Sequence, residues 1–185
     1  MLLRIAKYGI VFRVNILLFG NLYVFLQIKN FSNMIEIERK YLVVNENYRA
    51  GIPIRISQGY ICSENDRVVR VRIKGDKGYI TIKNATIGFA RNEYEYEIPV
   101  ADAEAMLQNT CQQPIIDKTR YVLEYKGFTW EVDEFHGDNE GLIVAEIELE
   151  NKDDVFECPD FVGEEVTGDA RYYNACLFKN PYKMW

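Results

Sequence analysis

Charged side chains alternate with apolar ones in several short segments of the sequence, and within each segment the charges share one sign. Residues 36–38 place two carboxylates two positions apart, residues 70–74 place three cations in this way, and residues 146–150 place three carboxylates. Side chains two positions apart lie on the same face of a β-strand. Carboxylate faces suit divalent cations, and arginine or lysine faces suit phosphates. The spacing therefore predicts a site that combines a metal ion with a phosphate ligand.

Period-two alternation continues through most of the sequence after Met34, and it predicts β-strands joined mainly by short, antiparallel connections. A Gly-Asp-Lys-Gly segment at residues 75–78 predicts a hairpin turn. The sequence predicts at least seven strands, at residues 35–43, 67–74, 79–83, 93–98, 117–122, 128–133 and 145–150.

Few segments have the pattern of a helix. Residues 102–110 predict a short helix with an acidic first turn, and residues 153–158 predict a helical turn that stops at Pro159. Residues 167–178 predict a longer helix, with Thr167 as its N-cap. The predicted fold class is α+β, built on a large antiparallel sheet.

The strand faces with charges of one sign favour a sheet that binds a ligand over a sheet whose polar face only meets water. Neighbouring like charges on a strand face are mildly destabilising, so their recurrence on several strands favours a compensating ligand. A closed barrel with its charges inside would bring the carboxylate and cation faces into one cavity. The alternative is an ordinary half-buried sheet whose polar face meets water.

Charge and composition limit the function classes. At 185 residues the chain has room for one ordinary domain. Residues 34–185 contain 18 basic and 28 acidic residues, a net charge of −10, which argues against nucleic-acid binding. The four cysteines form no C-x-x-C pair, and we expect reduced thiols in a cytoplasmic protein. His136 is the only histidine, which excludes a two-histidine metal site.

Residues 1–33 differ in composition from the rest of the chain. They contain four basic residues and no acidic one, and residues 14–28 form an uncharged, mostly apolar run. Fifteen residues fall short of the roughly 20 that a membrane-spanning helix needs. We interpret residues 1–33 as a non-native or disordered extension of a domain at 34–185. A membrane or signal element and a genuine structural element are the two alternatives.

The E-x-E-x-K motif from Glu36 to Lys40 resembles the opening signature of the CYTH superfamily, also called triphosphate tunnel metalloenzymes. The resemblance extends over 34–185 and does not include 1–33. Its further motifs are R-x-R at 70–72, T-x-K at 81–83, E-Y-E at 93–95, K-T-R-Y at 118–121, E-x-D at 131–133, E-x-E at 146–148, G-E-E-V-T at 163–167 and R-Y-x-N at 171–174.

The resemblance implies a closed eight-stranded antiparallel β-barrel, or tunnel, with a few flanking helices and with its charged residues on the inner face. It implies Mg²⁺ or Mn²⁺ as the cofactor, held by Glu36, Glu38 and Glu148, and a second ion at Asp133 and Glu146 that activates water. It implies a substrate-binding set made of Lys40, Arg70, Arg72, Lys83, Glu93, Glu95, Lys118, Arg120 and Arg171. Lys40, Asp133 and Glu146 are the candidate catalytic residues, and Glu131 matches the pattern less clearly.

The family resemblance implies a metal-dependent hydrolase that removes the terminal phosphate of a triphosphate. Inorganic tripolyphosphate is the first substrate considered, with thiamine or nucleoside triphosphates as further ones. A P-loop motif is missing from the sequence. The alternatives are a class IV adenylate cyclase, which makes cyclic AMP and pyrophosphate, and a polyphosphate-binding module without activity. The expected partner is a small triphosphate, with no nucleic acid, no membrane unless residues 1–33 are genuine, and a homodimer as an option.

Overall fold

The computed structural model of the protein describes residues 37–64, 67–84, 93–149, 151 and 153–185. The predicted extension at residues 1–33 therefore lies outside the described residues. The strands are β1 (Ile37–Val43), β2 (Ile52–Glu64), β3 (Arg67–Lys74), β4 (Lys77–Asn84), β5 (Glu93–Ile98), β6 (Ile116–Tyr125), β7 (Phe128–Phe135), β8 (Ile143–Leu149) and β9 (Val162–Glu165).

All nine strands belong to one antiparallel sheet with the order β5-β4-β3-β2-β6-β7-β8-β1-β9. Between its two outermost strands, β5 and β9, the described residues make no ladder of hydrogen bonds. The structure therefore corrects the expected closed barrel of eight strands to an open sheet of nine. β9 has only four residues, and its pairing with β1 shifts register between Tyr41 and Val43, which ends the sheet early on that side.

Two of the nine strands were not predicted from the sequence. β2 is the longest strand, with 13 residues, and it is the fourth strand of the sheet, between β3 and β6. Its sequence begins Ile-Pro, and a proline argues against a strand inside a sheet. β9 is too short for a period to be visible.

The helices are shorter than the sequence predicts, apart from α1 (Val100–Asn109), which agrees with the predicted 102–110. The described residues in the predicted turn at 153–158 are not helical. In place of a helix over 167–178, the chain forms a 3₁₀ turn at Ala170–Tyr172 and the short helix α2 (Asn174–Leu177). Gly168 has a φ of +81°, which interrupts any helix that would start at Thr167.

The outer face of the sheet is covered by two separate apolar layers. One layer centres on Trp130, which is fully buried and contacts the rings of Tyr41, Phe156 and Phe161. The other is formed where α1 packs Ala103 and Leu107 on β3 and β4. These layers occupy the outer side, so the charged side chains of the same strands are left on the inner side. In the part of the chain that the structure describes, no helix is long and apolar enough to cross a membrane.

A third apolar cluster fills one end of the inner face. It combines inner-face residues of the strands, such as Tyr60, Phe135 and Val144, with Leu177 and Phe178 of the C-terminal segment. The Tyr60 and Phe178 rings stack with their centroids 5.0 Å apart. The C-terminal segment therefore closes that end of the inner face with packed side chains.

Candidate active site

Side chains from eight of the nine strands line one cavity, which shows that the sheet curls around its inner face. The cavity has a volume of about 1180 Å³, slightly more than the roughly 300–1,000 Å³ of most small-molecule sites. Eleven of the predicted site residues contribute to its lining: Glu38, Lys40, Arg70, Arg72, Lys83, Glu93, Glu95, Lys118, Arg120, Glu146 and Glu148.

One side of the cavity, which we call the basic wall, consists of Arg70, Arg72 and Lys83 with Glu93 and Glu95. A single oxygen of Glu95, Oε2, accepts hydrogen bonds from Thr81 at 2.8 Å, from Arg72 at 3.0 Å and from Arg70 at 3.4 Å. Lys83 Nζ lies 2.6 Å from Glu93. Three cations against two carboxylates leave this wall with a net charge of +1.

Two donors of the basic wall are unused. The Nε atoms of Arg70 and Arg72 are buried, and neither has a hydrogen-bond partner among the residues that the structure describes. A buried guanidinium N–H without a partner is costly, since its desolvation is not offset. Burial and the neighbouring Arg70 charge also lower the pKa of Arg72. These features are those expected where an anionic ligand supplies the missing acceptors.

The opposite side, the acidic wall, consists of Lys40, Lys118 and Arg120 with Glu38, Glu131, Asp133, Glu146 and Glu148. Three cations against five carboxylates give it a net charge of −2. Lys40 is buried, its Nζ lies 2.6 Å from Glu38, and it also donates to Glu146. Although burial would lower the pKa of Lys40, the charges of Glu146 and Glu38 raise it.

The centre of the acidic wall is a buried group of Lys118, Asp133 and Arg120. Both oxygens of Asp133 are used, because Oδ1 accepts from Arg120 Nε at 2.7 Å and Oδ2 accepts from Arg120 Nη2 at 2.6 Å and from Lys118. Arg120 also donates to Glu131 and to Glu146. Cross-strand register sets up this group, since Arg120 of β6 lies opposite Asp133 of β7.

The pKa values in this group move in directions that follow from burial and charge. Burial would raise the pKa of Asp133, but Lys118 and Arg120 outweigh it and hold that pKa well below its usual range. For Arg120, burial is again outweighed, and Asp133 raises the pKa. For Lys118, burial dominates and lowers the pKa, with Arg120 acting in the same direction. Lys118 is therefore the cation of this group that gives up a proton most readily.

The predicted metal ligands divide into two sets when compared with the structure. Glu38 and Glu148 lie directly opposite one another on β1 and β8 and both line the cavity, so they offer the carboxylate oxygens that Mg²⁺ and Mn²⁺ prefer. Glu36, the third predicted ligand, lies outside the described residues. Among the described residues, no three acidic, cysteine or histidine side chains already form a metal-binding group.

Asp133 and Glu146 do not fit a second metal ion. Asp133 is fully buried with both oxygens bonded to cations, and Glu146 gives one oxygen to Lys40 and the other to Arg120. An ion at this position would have to displace two or three charged hydrogen bonds. Glu38 and Glu148 both line the cavity and remain the candidates for a metal ion, and Glu38 has a charged partner, Lys40, at 2.6 Å.

Arg171 lies apart from the other predicted substrate-binding residues. Its side chain is 62% exposed and pairs with Asp169 of the same turn, and it does not line the cavity. Its guanidinium packs over the rings of Tyr172 and Trp185. Arg171 therefore lies outside the cavity lining, and its role as a phosphate contact stays a prediction. Its sequence signal came from an R-Y-x-N motif, which in this fold has a local structural role.

Two polar residues of the cavity were missed from the sequence, Gln58 and Tyr60 on β2. Both line the cavity and both are almost fully buried. Gln58 Nε2 donates to the Tyr60 hydroxyl at 3.1 Å. The signal that could have found them is the alternation of Ile54, Ile56, Gln58 and Tyr60 on one face of β2. Glu131, the less clear match, also lines the cavity.

Comparison with known protein families identifies the family to which this chain belongs. The sequence model of the CYTH domain matches residues 34–173 of the chain. The chain belongs to the CYTH domain family. The match begins at Met34, the position at which the composition of the sequence changes. The CYTH domain thus includes all of the strands described above and every residue of the two walls.

Two curated relatives of this CYTH domain are named inorganic triphosphatases. The one from Acetivibrio thermocellus is 52% identical over 151 residues, which are 80% of this chain and 96% of the relative. The one from Nitrosomonas europaea is 36% identical over 150 residues, or 78% of this chain and 97% of the relative. A crystal structure of an inorganic triphosphatase matches with a TM-score of 0.63 and 33% identity, over 77% of this chain and 93% of that one.

Proposed function

We propose that this CYTH domain is a metal-dependent phosphohydrolase that removes the terminal phosphate of a linear triphosphate, with inorganic tripolyphosphate as the substrate. The single observation that carries the proposal is the gathering of six cations around one cavity, two of which have buried, unpartnered Nε donors. The names of the two curated relatives support the same reaction. The cations are Lys40, Arg70, Arg72, Lys83, Lys118 and Arg120.

The curled sheet would surround the triphosphate, and the phosphates would contact both the basic wall and the acidic wall. Arg70 and Arg72 would use their free Nε atoms on phosphate oxygens, and Lys83 would complete the contact from β4. Glu93 and Glu95 would keep these cations in place, since Glu95 already bonds both arginines. Phosphoryl transfer depends mainly on such positioning and on electrostatic stabilisation.

The acidic wall alone would repel a polyanion, which explains the need for a cofactor. We propose that Glu38 and Glu148, together with Glu36, hold one Mg²⁺ or Mn²⁺ ion. When bound, such an ion neutralises phosphate charge and polarises the phosphoryl group. With the ion in place the acidic wall would no longer oppose the charge of the substrate.

Lys118 is the residue that we assign to proton transfer. Its pKa is lowered by burial, and its Nζ lies in the cavity wall beside Asp133. Arg120 and Lys40 are unsuitable because their pKa values are raised. Lys118 Nζ, protonated like the other five cations, would give a proton to the oxygen that leaves with the pyrophosphate. Arg120 would stabilise the charge that develops on the phosphate oxygens.

An assay of the full chain tests the proposal. The protein is incubated with Mg²⁺ or Mn²⁺ and either tripolyphosphate or ATP, with an EDTA-treated sample as the control. Orthophosphate, pyrophosphate and cyclic AMP are measured together. We expect equal amounts of orthophosphate and pyrophosphate from tripolyphosphate. Cyclic AMP with pyrophosphate from ATP would instead indicate a cyclase, and binding without turnover would indicate a binding module.

We also propose that the protein acts in the cytoplasm.

A further inference from the structure

Gln58 is the only uncharged amide on the cavity-facing side of β2, and it is 2% exposed. Burying an amide is unfavourable unless it is hydrogen-bonded, so its position calls for an explanation. Its Nε2 donates to the hydroxyl oxygen of Tyr60, two residues along the same strand. This is the one hydrogen bond that the Tyr60 hydroxyl makes with the described residues.

The direction of this hydrogen bond determines what the phenol can do. A phenol oxygen that accepts from an amide still has its own proton to donate. Burial raises the pKa of Tyr60 to about 12, so the phenol keeps that proton at neutral pH. The ring is held in place by its stack on Phe178. Tyr60 therefore offers one neutral O–H donor, fixed in position, to the contents of the cavity.

The surroundings of this pair consist of groups that an anion would contact. Gln58 lies opposite Arg72 and Tyr60 lies opposite Arg70 in the register of β2 and β3. These are the two arginines with unpartnered Nε atoms. Charge attracts a phosphate from many directions, whereas a single O–H donor specifies where one oxygen must lie. The neutral pair thus adds direction to a clamp that is otherwise mainly electrostatic.

We propose that Gln58 is a positioning residue, which occupies the Tyr60 hydroxyl oxygen so that the phenol proton is donated to a phosphate oxygen of the substrate. The inference rests on the proposed function only in taking a linear phosphate chain as the ligand. It assigns no role in proton transfer to either residue.

A double-mutant cycle tests the proposal, with Gln58→Met, Tyr60→Phe and the double variant. The first readout is the dissociation constant for a tripolyphosphate analogue with methylene bridges, measured by calorimetry in Mg²⁺, so that the metal ion is present and no turnover occurs. Removing one neutral hydrogen bond should weaken binding by roughly three- to tenfold. We expect Gln58→Met to act through Tyr60, so the double variant should bind no more weakly than Tyr60→Phe alone.

Two further variants separate positioning from a structural effect. Gln58→Glu replaces the amide donor with a carboxylate that accepts a hydrogen bond from the Tyr60 O–H, and it should weaken binding more than Gln58→Met does. Ser57→Ala lies next to Gln58 on the opposite face of β2 and should leave binding unchanged. Thermal unfolding of each variant checks that the fold is retained.

The outcomes distinguish the two proposals. The role of Gln58 would be overturned if the increases in dissociation constant of the two single variants multiplied in the double variant. It would also be overturned if Gln58→Glu bound as tightly as the wild type. Either result would leave the proposed function intact. Tripolyphosphate binding without release of phosphate in Mg²⁺ would overturn the hydrolase, while the binding cycle would still decide the role of Gln58. No binding of tripolyphosphate by the wild type would overturn both.

Discussion

The basic wall and the acidic wall face the same cavity, but they differ in how their charges are satisfied. In the acidic wall the central carboxylate, Asp133, is fully buried and has every oxygen bonded. In the basic wall Glu95 is about a third exposed, and within the described part of the chain the Nε atoms of both arginines lack partners. The comparison separates charges that hold the fold together from charges that are available to a ligand.

The largest effect that we predict tests the structural side of this comparison. Asp133→Asn leaves Lys118 and Arg120 buried without their shared anion, and it should lower the free energy of unfolding by about 3–5 kcal/mol. The matched variant in the basic wall is Glu95→Gln, which should cost about 1 kcal/mol, because Glu95 is partly exposed and solvent screens its charge. Urea unfolding of both proteins measures the difference. Equal losses would show that the two walls do not differ in this respect.

The same carboxylate predicts a pH dependence of stability. The pKa of Asp133 is lower in the folded protein than in the unfolded chain. Its contribution is therefore fully present above the unfolded pKa of about 4 and is lost as the pH falls towards the folded value. In a series of unfolding measurements below pH 4, the wild type should lose stability more steeply than Asp133→Asn. Parallel curves would contradict the lowered pKa.

The next prediction concerns the charges available to a ligand. Arg72→Ala should reduce kcat/KM for tripolyphosphate by roughly 10²- to 10³-fold, the usual effect of losing one donor to a transition-state charge. Its melting temperature should stay the same or rise, because a buried cation beside Arg70 is removed. Arg72→Lys should restore little activity, since lysine lacks the planar guanidinium. A large loss of stability in Arg72→Ala would place this arginine with the structural charges.

A smaller effect is predicted for the metal ligands of the acidic wall. At free Mn²⁺ of 100 times its dissociation constant, the ion should stabilise the wild type by about 2.7 kcal/mol. Glu148→Gln should weaken Mn²⁺ binding by about tenfold or more, which reduces that stabilisation to about 1.4 kcal/mol or less. Melting curves with Mn²⁺ and with EDTA give the two values. An unchanged Mn²⁺ effect in Glu148→Gln would remove this residue from the metal site.

The smallest effect is expected at Arg171, which lies outside both walls. Arg171→Ala should leave kcat and KM for tripolyphosphate nearly unchanged, and it should alter stability by less than about 1 kcal/mol because its ion pair is exposed. A steady-state assay of this variant beside Arg72→Ala makes the contrast direct. A tenfold rise in KM would return Arg171 to the substrate-binding set.

Much of the site could be predicted because period-two alternation assigns side chains to a face. The pattern of β3 places Arg70 and Arg72 together, and that of β8 does the same for Glu146 and Glu148. What alternation does not give is the partner of each residue across the sheet. Asp133 has the sequence context of a metal ligand, but only the register of β6 and β7 brings it against Arg120.

The parts of the fold that were not predicted have a conflicting or short local signal. β2 was missed although it is the longest strand, because Pro53 argues against a strand there. The helix expected at Thr167 was wrong because the Thr167 hydroxyl instead accepts a hydrogen bond from the backbone N–H of Lys40, 127 residues away. Propensity favours a cap at such a threonine, but a tertiary contact uses the same hydroxyl group.

The apolar cluster at one end of the inner face has a consequence for where a ligand would lie along the cavity. Leu177 and Phe178 pack there with inner-face side chains of the strands, such as Tyr60, Phe135 and Val144. Apolar side chains give a charged phosphate no hydrogen-bond partner, and burying its charge among them is unfavourable. A phosphate chain would therefore end before this cluster, with its terminal group among the cations of the two walls.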